Sequence, residues 1–382
     1  MAEFPFLEVN EAIRLYGGED LNACMQCGLC ASLCPWREVD SPFFARQMIR
    51  LGQLGLEGYE TDEVLFGCTT CNKCVINCPR EVDIIGIMRS MRAMVAEAGI
   101  RPETLKTASG SCHANGNPWS GKREDRMAWA KGLDVPEYGP DTEYLLFVCC
   151  TSCYDQRSQN IARSVARLLD AAGVSWGVIG IEESCCGESI RKSGDEETFA
   201  KLAGANIELF NNKGVTKIIT TSPHCLKTFA SEYPELGGEY EVIHSSQLLA
   251  RLAAEGKLEL KGADGRKVAF HDPCYLGRHS GVFDDPRNLL DAAGAEVVSM
   301  DKEREFSLCC GGGGGRVWME TPPEQRFSVL RVNEAADAGA EVLATSCPYC
   351  ISLLEDSQKT EGLSERLKVM ELSELLAENL AE

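Results

Sequence analysis

Two stretches near the start of the chain have the residue types and spacing for metal chemistry. CMQCGLCASLCP runs from Cys24 to Pro35 and CTTCNKCVINCP from Cys68 to Pro79, and both read C-x2-C-x2-C-x3-C-P. Three thiolates so spaced can grip three corners of one cubane, while the proline-flanked fourth ligates the neighbouring cluster. The spacing therefore assigns Cys24, Cys27, Cys30 and Cys78 to one [4Fe–4S] cluster, and Cys68, Cys71, Cys74 and Cys34 to a second. Gly28 suits close approach of backbone to a sulfide. Two four-cysteine zinc sites could use the same ligands, but zinc pairs rarely need a third cysteine two residues on and then C-x3-C-P. Adjacent cubanes conduct electrons and offer no obvious place for a substrate.

The other cysteines are also grouped. Twenty in 382 residues is too few for a small disulfide scaffold and too many for an ordinary enzyme. Neighbours two or three residues apart converge on a metal more readily than they form disulfides. In the C-terminal part five thiols are available: Cys274, Cys309, Cys310, Cys347 and Cys350. They are read as a redox-active cluster site, each group falling at or after the end of a predicted strand. The run of five glycines from Gly311 to Gly315 directly follows the Cys309–Cys310 pair. Gly311 and Gly312 would let backbone pass very close to a bound group, with unhindered N–H donors. No G-K-[ST] follows, which argues against a phosphate loop. The cysteine pair argues against a merely flexible loop.

These groups need elements to position them. In the N-terminal part, Ser41 to Gly55 has helical spacing with a possible cap at Ser41, and Val82 to Gly99 reads as a helix stopped by Gly99 and Pro102. From about residue 142 strands and helices alternate. Glu143–Cys150, Ser175–Ile181 and the VTKIITTS segment read as strands; Ser158–Gly173 and a stretch ending at Gly214 read as helices. RKVAFHDPC, FSVLRVNEAADAG and AEVLATS repeat that plan, as expected of α/β units with parallel pairing. The cysteines repeat in step: Cys153 is matched with Cys274, Cys186 with Cys310, and Cys225 with Cys350. IITTSPHC at 218–225 parallels LATSCPYC at 343–350, with Ser222 where the second phrase has Cys347. The first copy thus offers Cys153, Cys185, Cys186 and Cys225, with Cys149 and Cys150 close by to compensate.

The expected fold is α+β and multidomain: a mostly helical bacterial-type 2[4Fe–4S] ferredoxin domain over 1–110, a linker over 111–141, and duplicated α/β cysteine-rich modules over 142–265 and 266–382. Net charge is −20, so a nucleic-acid partner is not expected. No apolar run approaches the ~18 residues that span a bilayer, and the first residues lack the pattern of a Sec-type signal. A reducing cytoplasmic location follows. No flavin fingerprint is present, so a flavin would reside on a partner. His224 and His271, in the cysteine loops, could tune a cluster or be simply satisfied; Arg157 and Arg278, at matched positions, could balance cluster charge or form ordinary salt links. His279 is read as a simply satisfied or surface group, and Cys112 and His113, in the linker, have no evident partner.

Two ferredoxin motifs followed by two C…CCG…C-x-x-C modules resemble the heterodisulfide reductase iron–sulfur family, over nearly the whole chain. GNPWS (Gly116–Ser120) is similar to a segment preceding the first cysteine-rich module in several relatives. The fused arrangement looks like the membrane-associated large subunit, the sulfite-reduction complex subunit and the electron-transfer subunit of class II benzoyl-CoA reductase complexes. The resemblance implies non-cubane [4Fe–4S] clusters with five cysteines each: Cys274, Cys309, Cys310, Cys347 and Cys350 match one full set. Cys153, Cys185, Cys186 and Cys225 match four of the other, and Ser222 departs from the pattern. It further implies redox partner subunits, flavin-bearing, iron–sulfur-bearing or a membrane cytochrome, through which the chain could sit peripherally on a membrane. A disulfide or thiol substrate is one expectation; a purely electron-transferring subunit is the other.

Overall fold

The computed structural model describes residues 6–39, 43–56, 63–262 and 265–381. Every described regular element before residue 144 is an α-helix or a 3-10 helix. Short helices Leu29–Leu33 and Lys73–Ile76 begin inside the two cysteine motifs, after Gly28 at φ 89° and Asn72 at φ 66°. Glycine and asparagine enter this left-handed region at the lowest cost, and the sharp turn folds each cysteine ladder back on itself. Helix Ala45–Leu54 stops at Gly55, whose φ is 60°; Ser41, expected as its cap, lies outside the described residues. Helix Ile84–Glu97 is capped by the Asp83 carboxylate, which accepts from the Gly86 N–H at 2.9 Å. Helix Glu103–Asn115 runs across the expected boundary at 110/111 and carries Cys112 into the interior.

Two four-stranded parallel sheets follow. The first contains β1 (Tyr144–Phe147), β2 (Trp176–Gly177), β3 (Lys217–Thr220) and β4 (Glu241–His244) in the order 2-1-3-4. The second contains β5 (Lys267–His271), β6 (Glu296–Val297), β7 (Val342–Thr345) and β8 (Lys368–Glu371) in the order 6-5-7-8. Strands β1 and β7 are buried throughout, as strands covered by helices on both faces must be. The strand expected over Ser175–Ile181 shrinks to two residues, because Gly180, at φ 84°, turns the chain into a 3-10 helix.

Strand pairing sets the phase of the duplication. Phe147 pairs with Thr220 and His271 with Thr345. Since Thr220 and Thr345 hold the same place in the two matched phrases, Phe147 corresponds to His271 and Cys150 to Cys274. This corrects the expected match of Cys153 with Cys274. Local likeness between CTSCYDQR and HDPCYLGR aligns the wrong cysteine, and the ladder shifts it by one helical turn.

The modules are fused rather than strung together. Helix Gln159–Ala171 of the first packs on Leu372–Glu378 of the second, and Ser245–Ala254 packs on Asp285–Ala292. Leu168, Leu169, Leu248, Leu249, Leu289, Leu290, Leu375 and Leu376 form one buried core drawn from both. Each is worth ~1.5–3 kcal/mol relative to exposure, so separating the modules would uncover both halves of that core.

Candidate functional site

Cys24, Cys27, Cys30 and Cys78 line one cavity with Gly28 and Pro79, and Cys74 of the second motif also reaches it. Cys27 is exposed and the other three are half-buried. Cys34 lies instead with Cys68 and Cys71, and Cys74 with Cys71, Cys68 and Cys34. The fourth cysteine of each motif thus crosses to the other motif's group. Burial, then the neighbouring thiols, pushes the Cys34 and Cys74 thiols up. Cys68 and Cys71 are buried, so the two groups run from surface to interior.

The inner group sits on the second cysteine-rich module. The Cys71 thiol is in hydrogen-bonding contact with Cys309. Arg278 Nε donates to the Cys71 carbonyl at 2.6 Å, Asn72 Nδ2 to the Arg278 carbonyl at 2.9 Å, and Lys73 Nζ to the Phe306 carbonyl at 2.9 Å. Here the glycine run finds its use. A Cβ on Gly313 would stand 2.2 Å from the Thr69 carbonyl oxygen, and one on Gly314 would stand 2.3 Å from that of Cys68. What the glycines approach closely is the second ferredoxin motif. Arg92, fully buried, donates to the carbonyls of Leu65, Cys68, Gly314 and Lys192, so one guanidinium joins the N-terminal part to both modules. Burial draws it down to about 10.

The five C-terminal thiols form an unbroken series. Cys274 touches Cys309, Cys309 touches Cys310, Cys310 lies 3.3 Å from Cys350, and Cys350 touches Cys347. All are buried, at the carboxyl ends of β5 and β7 and in the segment between β6 and β7, where open α/β sheets place their sites. All twenty cysteines are free thiols. Five buried soft donors with no disulfide among them fit an iron–sulfur cluster. His271 Nε2 has no hydrogen-bond partner, and one ring nitrogen of His271 lies within 4.8 Å of the Cys310 and Cys350 sulfurs. Arg278 faces Cys71, Cys274 and Cys309, whereas Arg157 is paired with Glu355 and Glu374 away from the thiols. His279 is hydrogen-bonded to the Thr70 carbonyl at 2.8 Å. His224 crosses from the first module: it pairs with Glu188 at 3.0 Å, stacks on Tyr275 at 3.9 Å and touches Cys347. Against the cost of burial, contacts with Cys350 and His224 bring the Cys347 thiol down to about 5. A cavity of about 180 Å³, lined by Trp36, Arg316, Phe327 and Leu353 among others, reaches Cys310 and Gly311.

In the first module Cys185, Cys186 and Cys225 come together, but Cys153 turns aside and donates to the Val148 carbonyl at 3.5 Å. Cys150 touches Cys185 and Cys149 touches Cys225 instead. Cys112 reaches Cys185 from outside the module, a contact its sequence neighbourhood did not signal. The Cys150 contact was legible: Cys150 precedes Cys185 by the same 35 residues that separate Cys274 from Cys309.

A dicluster ferredoxin-like part leading to paired cysteine-rich modules defines an iron–sulfur protein. The 4Fe-4S dicluster domain family matches residues 20–82, and the CCG cysteine-rich domain family matches 144–230 and 268–355. The chain is 30% identical to one subunit of the dihydromethanophenazine:CoB–CoM heterodisulfide reductase of Methanosarcina mazei, over 94% of both chains. It is 38% identical to the EtfAB:quinone oxidoreductase of Syntrophomonas wolfei over 82% of its length, but spans only 46% of that protein. The probable iron-sulfur-binding oxidoreductase FadF of Bacillus subtilis gives the same picture, at 38% identity and 47% of the relative's length. A hypothetical protein from Helicobacter pylori shares the fold at TM-score 0.52 and 12% identity, covering 98% of this chain and 77% of that one. The chain belongs to the heterodisulfide reductase iron–sulfur family. None of its described helices is long and apolar enough to cross a membrane.

Proposed function

We propose that this chain is the electron-transfer subunit of a larger redox complex, taking electrons at the outer ferredoxin group and delivering them to the C-terminal thiol set. The carrying observation is the Cys71–Cys309 contact, which makes the ferredoxin cysteines and the second module one continuous series of thiols. Two cubanes in the ferredoxin groups and one non-cubane cluster on Cys274, Cys309, Cys310, Cys347 and Cys350 would supply one-electron carriage. The chain's own contribution is to hold the groups in file, screen the inner two from water and place Arg278 against their negative charge. The outer group is where a partner would dock. Met25, Leu29 and Ile76 are apolar and exposed around it, and Arg46 and Arg80 line its cavity.

The cavity at Cys310 favours a second reading, in which the C-terminal set also serves a disulfide substrate. Two electrons from the redox partner and two protons from solvent would then cleave one S–S bond into two thiols. Iron and sulfide counting with electron paramagnetic resonance on anaerobically purified protein tests the main proposal. At least about 12 irons are expected, four for each of three clusters. Cys310→Ala should lose about four of these and one signal, with the cubane signals kept. A total near 8 irons that Cys310→Ala leaves unchanged would reject the C-terminal site. Absence of disulfide turnover by fully loaded protein with an artificial donor would reject the second reading alone.

A further inference from the structure

The first module lacks the cysteine that its partner has at 347, yet six thiols meet there. Ser222 and Cys347 occupy the same backbone position. Each is the extended residue that caps a helix begun by proline, at φ −139°, ψ 131° and φ −156°, ψ 125°. A serine alkoxide is a poor iron ligand at neutral pH, so the position itself contributes no soft donor. The space beside Cys225, which Cys347 fills beside Cys350, holds the Cys149 thiol. Cys149 is fixed there by its backbone N–H, which donates to Thr221 Oγ1 at 3.1 Å in the very loop that carries Ser222.

The rest of the set repeats the second module contact for contact. Cys150 touches Cys185 as Cys274 touches Cys309. Cys186 touches Cys225 as Cys310 touches Cys350. The Gly187 N–H points at Cys185 Sγ at 3.4 Å, as the Gly311 N–H points at Cys309 Sγ at 3.3 Å. All five thiols are buried, and Arg126, itself 1% exposed and paired with Glu183 at 2.7 Å, also donates from Nη1 to Cys150 Sγ at 3.5 Å. A hydrogen-bond donor aimed at a buried thiol suits a ligand that binds as thiolate. Cys112 is the sixth thiol. It approaches Cys185 from outside the module just as Cys71 approaches Cys309, and Cys71 belongs to another group. By that correspondence Cys112 lies outside the ligand set.

We infer that the first module holds an iron–sulfur cluster of its own, ligated by Cys149, Cys150, Cys185, Cys186 and Cys225, with Cys149 supplying from the end of β1 the ligand that Ser222 does not. This rests on the iron–sulfur reading of the second module and extends it to a set that departs from the C-x-x-C pattern. It also removes Cys153 from the ligands.

The test is metal counting and paramagnetic resonance on the full chain. Wild-type protein should carry about 16 irons, four for each of four clusters. Cys149→Ala should lose about four irons and one signal, while Cys153→Ala keeps all of them. Adding Ser222→Cys to Cys149→Ala should restore the missing irons, because it returns a thiol to the position that Cys347 holds in the second module. Recovery in that double variant also separates loss of a ligand from loss of fold. A wild-type total near 12 that Cys149→Ala does not lower overturns the inference and leaves the proposed function standing. So does loss of iron in Cys153→Ala but not in Cys149→Ala. Loss in Cys149→Ala without recovery on adding Ser222→Cys overturns the substitution of one position for the other. If Cys310→Ala removes no iron, the underlying iron–sulfur reading of the second module fails instead.

Discussion

Around Cys185 and around Cys309 the two modules start alike and then part. Both loops read C-C-G, and both glycines are left-handed, Gly187 at φ 86° and Gly311 at φ 99°. After that the first module continues ESIRK and the second GGGGR. Glu188, Arg191 and Lys192 fill the first loop with charge, paired to His224, Glu196, Glu232 and Glu235. The second loop is bare backbone, and the ferredoxin motif lies directly on it. The duplication kept the thiol cradle in both halves and altered what can approach it. One half is closed by ion pairs, and the other is open to the second ferredoxin motif.

The strongest way to break this contrast is to remove the residue that holds both loops. Arg92 donates to Lys192 in one and to Gly314 in the other. Arg92→Leu leaves four buried carbonyls without their donor. At about 1–3 kcal/mol for each buried group left unsatisfied, a loss of at least ~3 kcal/mol is expected in urea unfolding. Next comes the platform itself. Gly313→Ala places a methyl group against the Thr69 carbonyl and should cost about 1–3 kcal/mol as an overpacking change. It should also slow reduction of the C-terminal site in stopped-flow measurements. Ser189→Ala, at the matching position of the first loop, loses the hydrogen bonds of Ser189 with Trp318 and Tyr349, so about 0.5–1.5 kcal/mol for each is expected, with a smaller kinetic effect on the C-terminal site than Gly313→Ala.

A smaller difference lies at the strand ends. His271 has an unpartnered Nε2 and brings a ring nitrogen within 4.8 Å of the Cys310 and Cys350 sulfurs, whereas its counterpart in the first module is Phe147. A polar ring set beside metal ligands changes their surroundings and so tunes the site. His271→Phe should therefore shift the C-terminal midpoint potential, by on the order of 60 mV for a tenfold change in a one-electron couple. The ferredoxin potentials should stay fixed in the same titration.

A further contrast is one of pH. The edge strands β4 and β8 end on helix caps, His244 and Glu371. Burial takes His244 down to about 3 and Glu371 up to about 8. The unfolded chain protonates His244 near 6.5 and the folded chain resists until about 3, so this group lowers stability as pH falls through that window. The folded chain keeps the Glu371 proton to about 8 while the unfolded chain loses it near 4.5, so stability falls as pH rises between those values. His244→Asn and Glu371→Gln should each flatten one of the two slopes in urea midpoints measured against pH.

Much of this was legible in the chain. The ferredoxin spacing fixes which cysteines gather, since covalent geometry leaves few ways to satisfy C-x2-C-x2-C-x3-C. The alternation of buried strands and helices shows the paired modules. What escaped was phase and contact across domains. The three-residue ambiguity between Cys150 and Cys153 could have been settled by the 35-residue spacing to Cys185 and is settled again by strand pairing, whereas residues such as Arg92, Arg126 and Cys112 act on groups far along the chain. The glycine run signalled a close approach without saying to what.

Docking of the ferredoxin motif on Gly313 and Gly314 would also impose an order in time on filling the proposed inner cluster. Cys68 and Cys71 are buried by the finished structure, and a glycine backbone packs against their loop. Metal would reach these two cysteines most easily while the loop is still free, with closure onto the second module following it.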